Sequence, residues 1–135
     1  MSWDVLALAV PPGTRRIDQL PTGYQAPPLG ARDELIAAIR RVAPHIDASD
    51  PTWLVLDGPD HLIEVGLGKD QDVVHFMFFV RGGDGSVAVM LAIAAAVGAV
   101  LLDTSTGELM TAESGMASLH QWERYRDHVT GPSDP

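Results

Sequence analysis

Val73-Val74-His75-Phe76-Met77-Phe78-Phe79-Val80-Arg81 followed by Gly82-Gly83-Asp84-Gly85-Ser86 and then the apolar run Val87 to Val97 is the stretch that decides the fold. The first part is dense in aromatic and β-branched residues and reads as a strand. Phe76, Phe78 and Val80 project to one side, and Val73, His75, Met77 and Phe79 to the other, so both faces carry apolar groups. The glycines break the strand and feed a helix from about Val87 to Val97, which is apolar nearly all round and therefore buried on most sides. Gly98 is its natural C-terminal cap. Strand, glycine loop and buried helix in succession require a sheet with helices packed on it.

Upstream, Trp53 to Asp57 and His61 to Leu67 read as two further strands, joined through Gly58-Pro59-Asp60 and Gly68 to Asp72. With Val73 to Arg81 they make three consecutive antiparallel strands. Ala31 to Ala43 is a helix, with Leu35, Ile36, Ile39 and Val42 on one face, acidic Asp33 and Glu34 at its start, and Arg40 and Arg41 at its end. Pro44 stops it. Trp3 to Val10 reads as the first strand, ended by Pro11, Pro12 and Gly13. Five prolines between Pro11 and Gly30 favour extended chain wrapping the surface.

Downstream, Ala99 to Asp103 is a strand, Thr104 to Gly107 a turn, Glu108 to Thr111 a short strand that pairs back, and Ser114 to His128 a last helix. The fold class is therefore α+β: a mixed, mainly antiparallel sheet of about five strands with three helices packed on it, in the order β-α-β-β-β-α-β-(β)-α. The two helical crossovers are expected to make some neighbouring strands parallel. One domain over residues 1–129 with a tail over 130–135 is expected. The second apolar face needs a cover, from the proline-rich segment, the last helix or another copy of the chain.

With 135 residues, 46% of them hydrophobic and 20% charged, the chain has enough apolar material for one core. It has no cysteine, which excludes disulfides, thiolate metal sites and a cysteine nucleophile and suits a reducing, cytoplasmic setting. The formal net charge is -9, and Lys69 is the only lysine. Such a field repels nucleic-acid phosphates and anionic lipid, so neither nucleic acid nor membrane is expected as a partner. The apolar run ending at Leu102 is broken by Gly98 and is shorter than the roughly 20 residues that cross a bilayer.

Arg81 with Gly82 and Gly83 ahead of a helix N-terminus is an anion-cradle candidate, opposed by Asp84, and the alternative is a tight turn with Asp84 or Ser86 capping the helix. Asp103, with Glu108 after the turn, is the second polar candidate. Asp57, Asp60, His61 and Glu64, and likewise Asp70, Asp72 and His75, are metal-capable in type, but His61 and Glu64 point to opposite strand faces and the spacing selects no site. His45 and His128 have no identifiable partner, and His120 with Glu123 reads as a solvated pair on the last helix. No catalytic set, metal or cofactor is assigned.

Val100-Leu101-Leu102-Asp103-Thr104-Ser105-Thr106-Gly107 resembles in outline the Asp-Thr-Gly signature of aspartic proteases, but Ser105 replaces the usual glycine and two helical stretches contradict that all-β family. Trp53-Leu54-Val55-Leu56-Asp57-Gly58, Ile63-Glu64, Leu67-Gly68, Val80-Arg81-Gly82-Gly83, Leu102 to Glu108 and the helix through Trp122 and Tyr125-Arg126-Asp127 together resemble a group of small bacterial α+β proteins without an established activity. In size, acidity and build the chain is also similar to immunity proteins of bacterial toxin systems. The leading expectation is a stoichiometric, acidic protein-binding module with a basic protein partner. The alternatives are a small enzyme or ligand-binding domain using Arg81, Gly82, Gly83, Asp103 and Glu108, and a structural homodimer. Trp53, His75, Met77 and Phe79 are the interface candidates.

Overall fold

A computed structural model describes residues 2–130, with the backbone alone considered for residues 129 and 130. It contains eight strands, β1 (Trp3–Leu8), β2 (Gly30–Ala31), β3 (Trp53–Asp57), β4 (Leu62–Gly66), β5 (Asp72–Val73), β6 (His75–Val80), β7 (Val100–Asp103) and β8 (Glu108–Leu109). Three α-helices accompany them, α1 (Arg32–Val42), α2 (Ser86–Val97) and α3 (Ala112–Thr130). The α+β architecture read from the sequence is the observed one. None of these helices is long and apolar enough to cross a membrane.

Six strands form one sheet in the order β3-β4-β6-β1-β7-β8, and β2 pairs with β5 in a separate two-stranded ribbon. Every neighbouring pair is antiparallel, so the expected parallel neighbours do not occur. The reason is the position of β1. The β6-α2-β7 crossover sets two strands parallel, as a helical connection does, and β1 fills the gap between them, antiparallel to both.

The expected strand from Val73 to Arg81 is interrupted at Val74. Val73, buried at 2% exposure, turns into the helix-side core instead of sharing the face of His75, and its carbonyl accepts the Leu29 N–H at 2.7 Å. The backbone leaves the main sheet there to pair with Gly30. The last helix also runs further than expected, through Thr130, so that residue belongs to α3 and not to a tail; residues 131–135 lie outside the described part.

One face of the sheet carries Trp3, Val5 and Ala7 of β1 beside Phe76, Phe78 and Val80 of β6, and all of them are buried. The helices pack on that face. Leu35 and Ile39 of α1, Met90 and Ile93 of α2, and Leu119 of α3 join the same buried cluster. α1 has the dipole-matched ends its sequence implies, Asp33 and Glu34 in the first turn and Arg40 and Arg41 in the last. α2 ends at Gly98, whose φ of 75° is the left-handed conformation that caps a helix and that a side chain resists.

Both sheet edges are closed by single bridges. Asp47 exchanges backbone hydrogen bonds with Val55 on β3, and the Arg15–Ile17 segment bonds to Gly107 and Leu109 beside β8. Short pairings of this kind leave no long free edge for another strand to extend.

Leu119 anchors α3 with no exposed surface, whereas Tyr125 on the same helix is 59% exposed. Leu119→Ala is expected to cost about 3 kcal/mol in a urea unfolding experiment, and Tyr125→Ala less than about 0.5 kcal/mol. Equal costs would contradict the assignment of α3 to the helix-side face.

Candidate functional site

Alternation along the strands leaves a second set of side chains on the opposite face. Register places Trp53, Gly66, Met77, Leu6, Leu102 and Leu109 in one row across all six strands, one residue from each. The adjacent row holds Val55, Glu64, Phe79 and Asp4. No helix residue of the core cluster lies among them.

Only part of this face is covered. Leu8 and Leu102 are each 7% exposed. Near Leu8 the cover is the proline-rich segment: Tyr24 donates its hydroxyl to the Ala9 carbonyl at 2.8 Å, and Tyr24, Gln25 and Ala26 line a hollow with Leu8, Val74 and His75. The last helix, one of the expected covers, packs on the other side of the sheet. Towards β3 the face stays open, and Trp53 is 40% exposed.

Trp53 is exposed and yet held in place. Its indole stacks on Phe79 with ring centroids 5.0 Å apart and planes 19° from parallel. Gly66 makes this possible, because a Cβ there would meet the Trp53 ring at 3.1 Å and the Phe79 ring at 3.3 Å. The indole N–H donates to Glu64 Oε2 at 3.0 Å, and Glu64 Oε1 pairs with Arg81 at 3.4 Å. Stacking of this kind contributes about 1 kcal/mol beyond area burial, and the hydrogen bond fixes the rotation of the ring. The four interface candidates, Trp53, His75, Met77 and Phe79, therefore share one face, with His75 exposed beside the proline-rich segment.

The five residues proposed for ligand binding do not meet. Arg81 faces the open side and is tied to Glu64. Asp103 projects to the helix side at 3% exposure, where Oδ1 accepts from Trp3 Nε1 at 3.2 Å, the Ser105 N–H at 3.0 Å and the Ser105 hydroxyl at 2.6 Å. Those bonds close the turn that Gly107 completes at a φ of 75°. Glu108, on exposed β8, pairs with Arg16 at 3.0 Å.

The glycine loop is filled by the protein's own carboxylates. Asp60, from the turn before β4, accepts the Gly85 N–H at 3.1 Å and contacts His61 Nδ1 at 2.7 Å. Neither Asp84 nor Ser86 caps α2, since Gly85 occupies the cap position without a side-chain bond and the buried Ser86 hydroxyl has no hydrogen-bond partner among the described residues. Gly83 adopts a φ of 98°, and the Asp60 backbone carbonyl occupies the space a Cβ would need. On the far side of the loop, Glu123 accepts the Gly83 N–H at 3.4 Å, and His120 Nε2 lies 3.2 Å from Asp84 Oδ1.

The earlier metal-capable sets are not assembled. Glu64 is engaged by Trp53 and Arg81, Asp60 by His61 and Gly85, and Asp70, Asp72 and His75 line one groove without converging. In the sequence Asp60 was a turn residue and a member of a metal-capable set, not a partner of the glycine loop. Its contact with Gly83 and Gly85 joins segments more than twenty positions apart, and no local pattern announces it.

The His61 hydrogen bond, and after it the Gly85 N–H, hold the Asp60 carboxyl below its ordinary value of 3.8 against the opposing effect of partial burial. A depressed carboxyl stabilises the folded state above 3.8, and that stabilisation is lost as pH falls through the lower folded-state value. Asp60→Asn is thus expected to lower the unfolding midpoint at neutral pH, with the gap closing in acid below 3.8, as denaturant titrations at several pH values will show. A gap independent of pH would contradict this role. Gly83→Ala is expected to cost about 3 kcal/mol or more, against about 1 kcal/mol for Gly98→Ala, because both need positive φ but only Gly83 also faces a backbone carbonyl. In comparisons with protein families, curated proteins and solved structures, nothing matches this chain.

Proposed function

We propose that this protein acts stoichiometrically by binding another protein through the open face of its sheet, with Trp53 as the central anchor and Phe79 and Met77 beside it. The observation that carries the reading is a tryptophan 40% exposed and already immobilised by stacking and by Glu64. A fixed aromatic loses little conformational entropy on binding, and tryptophan is enriched among the residues that dominate interface energies.

The partner is basic. The net charge is -9, and Asp4, Asp57 and Glu64 share the open face with Arg81 as its cation among the residues described there. Complementary charge speeds encounter and makes association sensitive to salt. The same charge disfavours a second copy of the chain on this face. Absence of cysteine and the resemblance to bacterial immunity proteins support a cytoplasmic setting, in which neutralising a basic toxin is one form of the activity.

The test is an affinity capture with the tagged chain and its Trp53→Ala variant at low and moderate salt, followed by titration of the recovered protein. One basic protein in equal stoichiometry is expected, released as salt rises and bound about thirtyfold more weakly by the variant, which corresponds to about 2 kcal/mol. Binding indifferent to Trp53→Ala, or self-association as the only interaction found by light scattering, would overturn the reading.

A further inference from the structure

We propose that Asp84, His120 and Glu123 form a binding site for a divalent transition-metal ion, with zinc the best-matched probe. One ligand atom from each lies within 4.8 Å of the other two, and this is the one such set of three among the described residues. The donors come from two separate pieces of backbone. His120 and Glu123 are three apart on α3 and so share a helix face. Asp84 is presented to them by the loop before α2, where Gly82 and Gly83 adopt φ values of 112° and 98° and the Asp60 carbonyl backs Gly83.

The donor chemistry narrows the ligand. One imidazole with two carboxylates suits zinc and its first-row neighbours, whereas magnesium and calcium favour oxygen donors alone. Metal–ligand bonds of about 2.0–2.2 Å in tetrahedral geometry place neighbouring ligand atoms about 3.3 Å apart. His120 Nε2 and Asp84 Oδ1 already stand 3.2 Å apart. The two carboxylate charges match a divalent ion, and three protein ligands leave a coordination position for water.

One cation stands beside the site: Arg126 Nη1 and Glu123 Oε2 both lie within 4 Å of the position a Cβ on Gly82 would take, so a bound ion must outweigh the guanidinium there. The partial positive charge at the start of α2 is met by Asp60, which accepts the Gly85 N–H. Arg126, further along α3, lies over the Trp122 ring at 5.0 Å and pairs with Asp127 at 3.1 Å. A bound ion would join α3 to the α2 loop and pin the last helix against the rest of the chain. This inference is independent of the open-face reading, because the two involve different residues and different measurements.

The experiment uses the full chain without a histidine tag, stripped with a chelator and titrated calorimetrically with zinc. Cobalt is added in parallel to read the coordination from its visible absorption. One equivalent of zinc is expected, with a rise in the thermal midpoint, and His120→Ala and Asp84→Asn each weaken binding by more than about tenfold and abolish the cobalt bands. Asp70→Asn, at an acidic position outside the site, leaves both readouts unchanged. No uptake at tens of micromolar zinc, or uptake equal in the wild type, His120→Ala and Asp84→Asn, would overturn the proposal.

Discussion

The insertion of β1 between β6 and β7 is the constraint on which the rest of the structure depends. Its six residues pair on both sides, Trp3 to Leu8 against β6 and Val5 to Leu8 against β7. Because side chains alternate, this one strand sorts Trp3, Val5 and Ala7 into the helix-side core and Asp4, Leu6 and Leu8 onto the other face. A slip of one residue would put Asp4 into the core and Val5 into solvent. The same insertion turns a parallel crossover into a wholly antiparallel sheet and brings Trp3 over Asp103, so the turn leading to β8 is fixed from the opposite end of the sequence.

Two unlike faces follow from that arrangement. The helix side is closed by α1, α2 and α3 around a single cluster. The other side carries an apolar row across six strands, with cover near Leu8 and an open end at Trp53. Exposed apolar area of this kind is an aggregation hazard unless something restrains it. Here a net charge of -9 sets like molecules repelling one another, and Glu64 and Arg81 frame the exposed indole. The face combines a rigid aromatic anchor with a charge that selects against self-association, and that pairing of properties is why it is read as a surface for a different, basic protein.

Much of the fold was legible because it is written in local patterns. The alternation in His75 to Val80, the unbroken apolar run of α2, the charge-matched ends of α1 and the glycines at 98 and 107 each determine a nearby conformation. The shared face of the interface candidates was legible for the same reason, since alternation alone sets His75, Met77 and Phe79 on one side. What could not be read was contact between distant segments. The departure of Val73 from the sheet depends on Gly30, the filling of the glycine loop on Asp60, and the convergence at Asp84 on a helix more than thirty residues later. The alternative set of Arg81, Gly82, Gly83, Asp103 and Glu108 is not brought together, because parity sends Arg81 and Asp103 to opposite faces, a consequence of the β1 register that spacing within either motif does not contain.

The most direct test of the account is hydroxyl-radical footprinting of the free protein, with modification of the three tryptophans quantified separately. Rapid labelling is expected of Trp53, which is 40% exposed, and protection of Trp3, which is 3% exposed on the helix side of the same sheet. Protection of Trp53 to the level of Trp3 would show that the face is closed in the free molecule, and would contradict its use as an open binding surface.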